Sequence, residues 1–155
     1  MPMSTQLFSQ AEQIYKQLQE IEQKLTCFLN EKSVTSIVEQ DKSLNYEYIG
    51  RVIKQFRFLE VYCMEGKNAL KRLIRSEPLD TNMLEKILKG VYHKCVNQFF
   101  SPKDDLWYED SRASYRDKRS IEFQYDPGDD LLNLSQQIEP TFQDLREQLD
   151  YLEAV

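Results

Sequence analysis

A chain of 155 residues with 20 Lys and Arg against 26 Asp and Glu has a formal net charge of −6, which disfavours phosphate backbones and anionic lipid surfaces as partners. The 41% apolar and 30% charged content, with eight Phe, nine Tyr and one Trp, argues against disorder. At this length the expectation is one domain, 1–155, that buries roughly 70% of its unfolded surface.

No apolar run approaches the ~20 residues that cross a bilayer, and positions 1–20 lack the basic-then-apolar layout of an export signal. The reading is a cytoplasmic protein with no membrane partner. Cys27, Cys63 and Cys95 are odd in number and far apart, which suits buried free thiols in a reducing compartment better than a disulfide framework.

In chain order, Leu7, Ala11, Ile14, Leu18, Ile21, Leu25 and Phe28 follow alternating four- and three-residue spacing and predict a first helix over Thr5–Leu29. Phe8, Tyr15 and Leu29 widen its apolar stripe beyond a coiled-coil seam. Val34 to Val38 is a short β-branched run and reads as a strand. A second helix carries Ile49, Val52, Phe56, Leu59, Cys63, Gly66, Leu70 and Leu73, with Lys67, Lys71, Arg72 and Arg75 suited to the negative end of its dipole. Ser76-Glu77-Pro78 ends it, because the residue before proline leaves the helical region.

Asp80 or Thr81 caps a third helix with Leu84, Ile87, Leu88, Val91, Cys95, Val96 and Phe99 on its buried face, and Ser101-Pro102 stops it. After an insert over 101–128, Asp129 and Asp130 offer a cap for the last helical stretch, whose stripe is Leu131, Leu134, Ile138, Phe142, Leu145, Leu149 and Leu152. Pro140 falls inside it and predicts a break near Glu139. Ser120 to Tyr125 alternates like a strand and is expected to pair with Val34–Val38. The fold class is mainly α: an antiparallel four-helix bundle with a small β-hairpin-like element and a charged, aromatic insert before the last helix. Gly66, on the second stripe, predicts close helix packing or room for a bulky group such as Trp107.

Chemistry is sparse. His93 and Cys95 lie two apart on a helix, about 200° from each other, and cannot clamp one ion; no zinc spacing, serine-hydrolase elbow or phosphate-binding glycine loop is present. No cofactor and no metal is expected. The insert holds the one Trp and is unusually charged, with Asp104, Asp105, Glu109 and Asp110 followed by Arg112, Arg116, Lys118 and Arg119. The acids could cap turns and pair locally, or converge as an acid/base pair if the fold brings them together. Trp107 and Tyr108 either anchor the insert on the helices or face a partner, and Trp, Tyr and Arg are the residue types that dominate interaction hot spots. The candidate interaction site is therefore Trp107, Tyr108, Glu109, Asp110, Arg112, Tyr115 and Arg116.

The run from Tyr92 to Arg119, YHKCVNQFFSPKDDLWYEDSRASYRDKR, resembles the uncharacterised YpuI family of small Bacillus and Firmicutes proteins, and Ile138-Glu-Pro-Thr-Phe with Leu145-Arg-Glu supports the likeness. The resemblance implies a cytosolic bacterial protein and transfers no catalytic residue. The functional expectation is a non-enzymatic interaction or scaffold protein presenting the insert to a protein partner, a homodimer being compatible and nucleic acid disfavoured. The alternative is a small-molecule or metal-dependent activity in a pocket between the insert and helices two and three, using Glu109, Asp110, Arg112 and His93.

Overall fold

Apolar residues spaced by three and four wind into long helices here, and the computed structural model describes residues 2–76, 78–110 and 120–152, with side chains from residue 6 onward. Helix α1 spans Pro2–Glu31, α2 Val34–Gln40 and α3 Tyr46–Arg75. Helix α4, Thr81–Val91, runs without interruption through a π turn at Tyr92–Val96 into α5, Asn97–Phe100. A 3-10 turn at Lys103–Asp105, strands β1 (Trp107–Glu109) and β2 (Ile121–Phe123), helix α6 (Asp129–Leu149) and a closing 3-10 turn at Asp150–Leu152 complete the described chain.

The protein is mainly helical, with one two-stranded antiparallel sheet. The predicted stripes are the core. Ala11, Ile14, Leu18, Ile21 and Leu25 of α1 meet Ile49, Val52, Phe56, Leu59, Cys63 and Leu70 of α3, all fully buried. Contacts along each pair run in opposite directions. Thr26 bonds Glu60, and Glu22 pairs with Lys67, so α1 and α3 are antiparallel. Lys32–Asp130, Glu20–Thr141 and Gln17–Gln148 order α1 against α6 in the same way. Gly66 faces Val91 and Gln55 bonds Gln98, which sets α3 against the α4–α5 rod. A Cβ on Gly66 would stand 3.1 Å from Val91 Cγ2 and 3.4 Å from Leu18 Cδ1, so this glycine serves close helix packing and makes no room for Trp107. Cys63 and Cys95 are buried, whereas Cys27 is exposed on α1, against expectation. Among the described residues no helix is long and apolar enough to cross a membrane.

Four local readings are corrected. Val34–Gln40 is helical, because Ser33 caps it: its hydroxyl accepts from the Ser36 N–H while Ser36 Oγ accepts from the Ser33 N–H. Those two bonds outweigh the β preference of Val34, Thr35 and Ile37. With that partner gone, Ile121–Phe123 pairs instead with Trp107–Glu109, in the register Trp107 to Phe123, Tyr108 to Glu122 and Glu109 to Ile121.

Helix α6 also continues through Pro140. The proline has no N–H for the Gln136 carbonyl, and from α1 Lys24 Nζ donates to the neighbouring Gln137 carbonyl at 3.3 Å. Finally, Gly128 rather than an aspartate occupies the N-cap position of α6, and Asp129 and Asp130 form its first turn, where carboxylates favour the dipole. Gly128 has φ +82 and a Cβ there would lie 2.9 Å from Leu44 Cδ1. Gly128→Ala combines left-handed strain with a core clash and should cost about 2 kcal/mol of stability, read from a urea melt.

Candidate functional site

The insert leaves the helices at Ser101-Pro102 and turns through Asp104 and Asp105, both left-handed (φ 62 and 51), a conformation that aspartate tolerates better than most residues. It is then pinned. The Tyr48 hydroxyl of α3 donates to the Leu106 carbonyl, which also accepts from the Gln124 N–H. Trp107 is 1% exposed and donates its indole N–H to the Phe99 carbonyl. Its ring stacks on Phe56 at 5.1 Å and meets Phe123 at 5.5 Å and Phe99 at 6.3 Å, while Phe99 stacks on Phe142 of α6 at 4.4 Å. One aromatic cluster thus joins α3, α5, the hairpin and α6. As a candidate contact for a partner, Trp107 is corrected to an anchor: a partner cannot reach it.

Strand alternation sends Tyr108 the other way, and it is 56% exposed. Glu109 again points inward and is gripped from α6, with Arg146 Nη1 donating to Oε1 at 2.7 Å and Nη2 to Oε2 at 2.6 Å. The same guanidinium donates to Gln143 Oε1 and lies 3.8 Å over the Phe100 ring. Hydrogen bonding from Glu109 raises the Arg146 pKa above its ordinary value although burial acts the other way.

Below this pair, Ser120 is fully buried and Glu139 is 1% exposed. Glu139 Oε2 accepts from the Ser120 N–H at 2.8 Å, the Ser120 hydroxyl at 3.0 Å and Gln143 Nε2 at 3.3 Å. The Asp110 N–H donates to the Ser120 carbonyl, which closes the foot of the hairpin. Glu139, Gln143 and Arg146 are spaced by four and three, so they form a polar stripe on α6 that accompanies Ile138, Phe142 and Leu145. Sequence reasoning missed these three residues and Ser120, although that spacing was the signal that could have found them.

The chemistry open to this arrangement is limited. Both oxygens of Glu109 are bound by Arg146, and three donors converge on Oε2 of the buried Glu139, so neither carboxylate is presented to a substrate in this geometry. His93 shares a hydrogen bond with Asn97 on its own rod. Among the described residues no three His, Cys, Asp or Glu side chains are grouped to hold a metal ion. Asp110 is half-buried and partnered. Arg112, Tyr115 and Arg116 of the predicted site lie outside the described residues, as do Lys118 and Arg119.

Residues 11–155 match the model of a family described as Protein of unknown function (DUF3907). The chain belongs to the DUF3907 family. It is also 35% identical to the "Uncharacterized protein YpuI" of Bacillus subtilis (strain 168) over 127 residues, which cover 82% of this chain and 70% of that protein. The likeness seen in the Tyr92–Arg119 run is thus a family relationship. No solved structure gave a significant match, so the DUF3907 fold described above rests on its own packing.

Proposed function

We propose that this DUF3907 protein is a non-enzymatic, cytoplasmic interaction or scaffold protein, an antiparallel four-helix bundle that presents its 101–128 insert to a protein partner. The opposed directions of α1 with α3, α3 with the α4–α5 rod, and α6 with α1 support the bundle. Tyr92 with Asp150 and Phe99 with Phe142 close the ring between the rod and α6.

The observation that carries the functional reading is the hairpin itself. It is fastened by a buried indole and a two-pronged ion pair, yet it holds the large aromatic Tyr108 out in solvent at 56% exposure. An aromatic side chain on a rigid support contributes contact area at little entropic cost, which is what a hot spot requires. The alternative, a small-molecule or metal-dependent pocket that uses Glu109, has Arg146 as a competitor for that carboxylate throughout.

A Tyr108→Ala, Arg112→Ala double variant, shown by circular dichroism to keep its helices, should lose the partners that wild type retains in a pull-down, by tenfold or more. Identical partner lists would sink the proposal. Light scattering on the same samples reports whether the partner is a second copy, for which the exposed Phe58, Val61 and Met64 on α3 offer apolar surface.

A further inference from the structure

We propose that Cys63 and Cys95 are an oxidation site, a dithiol pair that closes to a disulfide between α3 and the π turn. The two helices cross closely where a Gly66 Cβ would lie 3.1 Å from Val91 Cγ2, and Gln55 reaches Gln98 at 3.3 Å further along. Cys63 lies one turn before Gly66 on α3, and Cys95 one turn after Val91 on a chain running the opposite way. Antiparallel geometry therefore sets the two thiols against each other. Both are buried, at 0% and 1% exposure, in the same core cluster. The π turn around Cys95 is a form of helix that recurs at functional positions.

The oxidant has a route. A groove of about 170 Å³ between α3 and α4 has Gly66, Gly90 and Cys95 in its lining beside the larger Tyr62, Glu65 and Ile87, and a Cβ on Gly90 would meet nothing within 4 Å. The groove borders Cys95, which is 1% exposed, so a local opening of the α3–α4 contact admits a molecule the size of hydrogen peroxide to the pair. The neighbouring Cys95 thiol, together with burial, raises the Cys63 pKa well above its ordinary value.

In the first step the Cys95 sulfur attacks a peroxide oxygen, the O–O bond breaks, and the leaving hydroxide takes the Cys95 proton to form water. Cys95 becomes a sulfenic acid. In the second step the Cys63 sulfur attacks the Cys95 sulfur; the S–S bond forms, the S–O bond breaks, and the departing hydroxide takes the Cys63 proton as water. Two thiols lose two electrons and one peroxide is reduced to two waters.

The full chain carrying Cys27→Ser, which removes the exposed thiol, is treated with hydrogen peroxide well below its melting temperature. It is then alkylated under denaturing conditions and digested without reductant. Mass spectrometry should find the Cys63 and Cys95 peptides linked. The oxidised protein should melt roughly 5–15 °C higher, reversibly with dithiothreitol, because the bond tethers the unfolded chain. Recovery of both cysteines alkylated would overturn the proposal, as would Cys95 carried to sulfinic acid beside a free Cys63. The crosslink is read on a chain with an intact core, so no cavity-forming variant is needed.

Discussion

Trp107→Ala should remove about 3–5 kcal/mol of unfolding free energy, measured by urea denaturation followed by circular dichroism. Trp107 is 1% exposed and is shared by α3, α5 and β2 through Phe56, Phe99 and Phe123. Truncation opens a cavity among three aromatic rings and leaves the Phe99 carbonyl without its indole donor. Trp107→Phe separates the two contributions: it keeps most of the stacking, loses the hydrogen bond, and should cost about 1–2 kcal/mol. Since this is the one Trp in the chain, its fluorescence in the wild type reports the hairpin anchor alone, while circular dichroism reports the helices. The two transitions should coincide if the insert and the bundle unfold together. A fluorescence change well ahead of helix loss, or a Trp107→Ala penalty below about 1 kcal/mol, would show that the indole does not hold the insert to the core.

How far the sequence foretold this fold depends on the range over which each signal acts. The buried stripes of α1, α3, α4 and α6 repeat every three or four residues, and nearly every position assigned to them is buried, so local periodicity was sufficient there. Leu7 and Phe28, at the two ends of the first stripe, are only half-buried because helix ends have fewer neighbours. Short elements were the failures. Val34–Val38 has strand-like residues, yet the reciprocal Ser33–Ser36 cap makes it a helix, and a serine in place of the usual glutamate obscured that capping box. The true partner of Ile121–Phe123 is three residues long and sits within a charged run, where alternation over so few positions carries no information. Pro140 suggested a break, and the side chain that helps the helix through it, Lys24, is more than a hundred positions away.

The site was half legible for the same reason. The composition of the insert pointed to Trp107 through Asp110, and burial then divided them: Trp107 anchors, Glu109 pairs inward, and Tyr108 faces out. What the insert is fastened to could not be read locally. Ser120, Glu139, Gln143 and Arg146 come from two separated segments, and polar residues along an amphipathic helix look like a solvated face until the hairpin covers them.

Glu139→Ala tests that covered stripe and should cost about 2–4 kcal/mol, since it strips one acceptor from three donors at a buried position. The Ser120 N–H, the Ser120 hydroxyl and Gln143 Nε2 all converge on Oε2, and Ser120 and Glu139 are 0% and 1% exposed. Glu139→Gln retains a carbonyl oxygen in nearly the same volume and should lose about 1 kcal/mol, because its NH2 brings a further donor into a site already crowded with donors. Amide hydrogen exchange then locates the loss. In the alanine variant the Ser120 and Asp110 amides should exchange much faster while the α1 and α3 amides keep their protection, since both hairpin-foot bonds depend on Ser120 staying put. Equal penalties for Ala and Gln would mean that packing volume, not the acceptor, is what Glu139 contributes. Unchanged Ser120 exchange in the alanine variant would mean that Arg146 and the Trp107 anchor hold the hairpin without help from Glu139, and that Tyr108 is displayed from two fastenings rather than three.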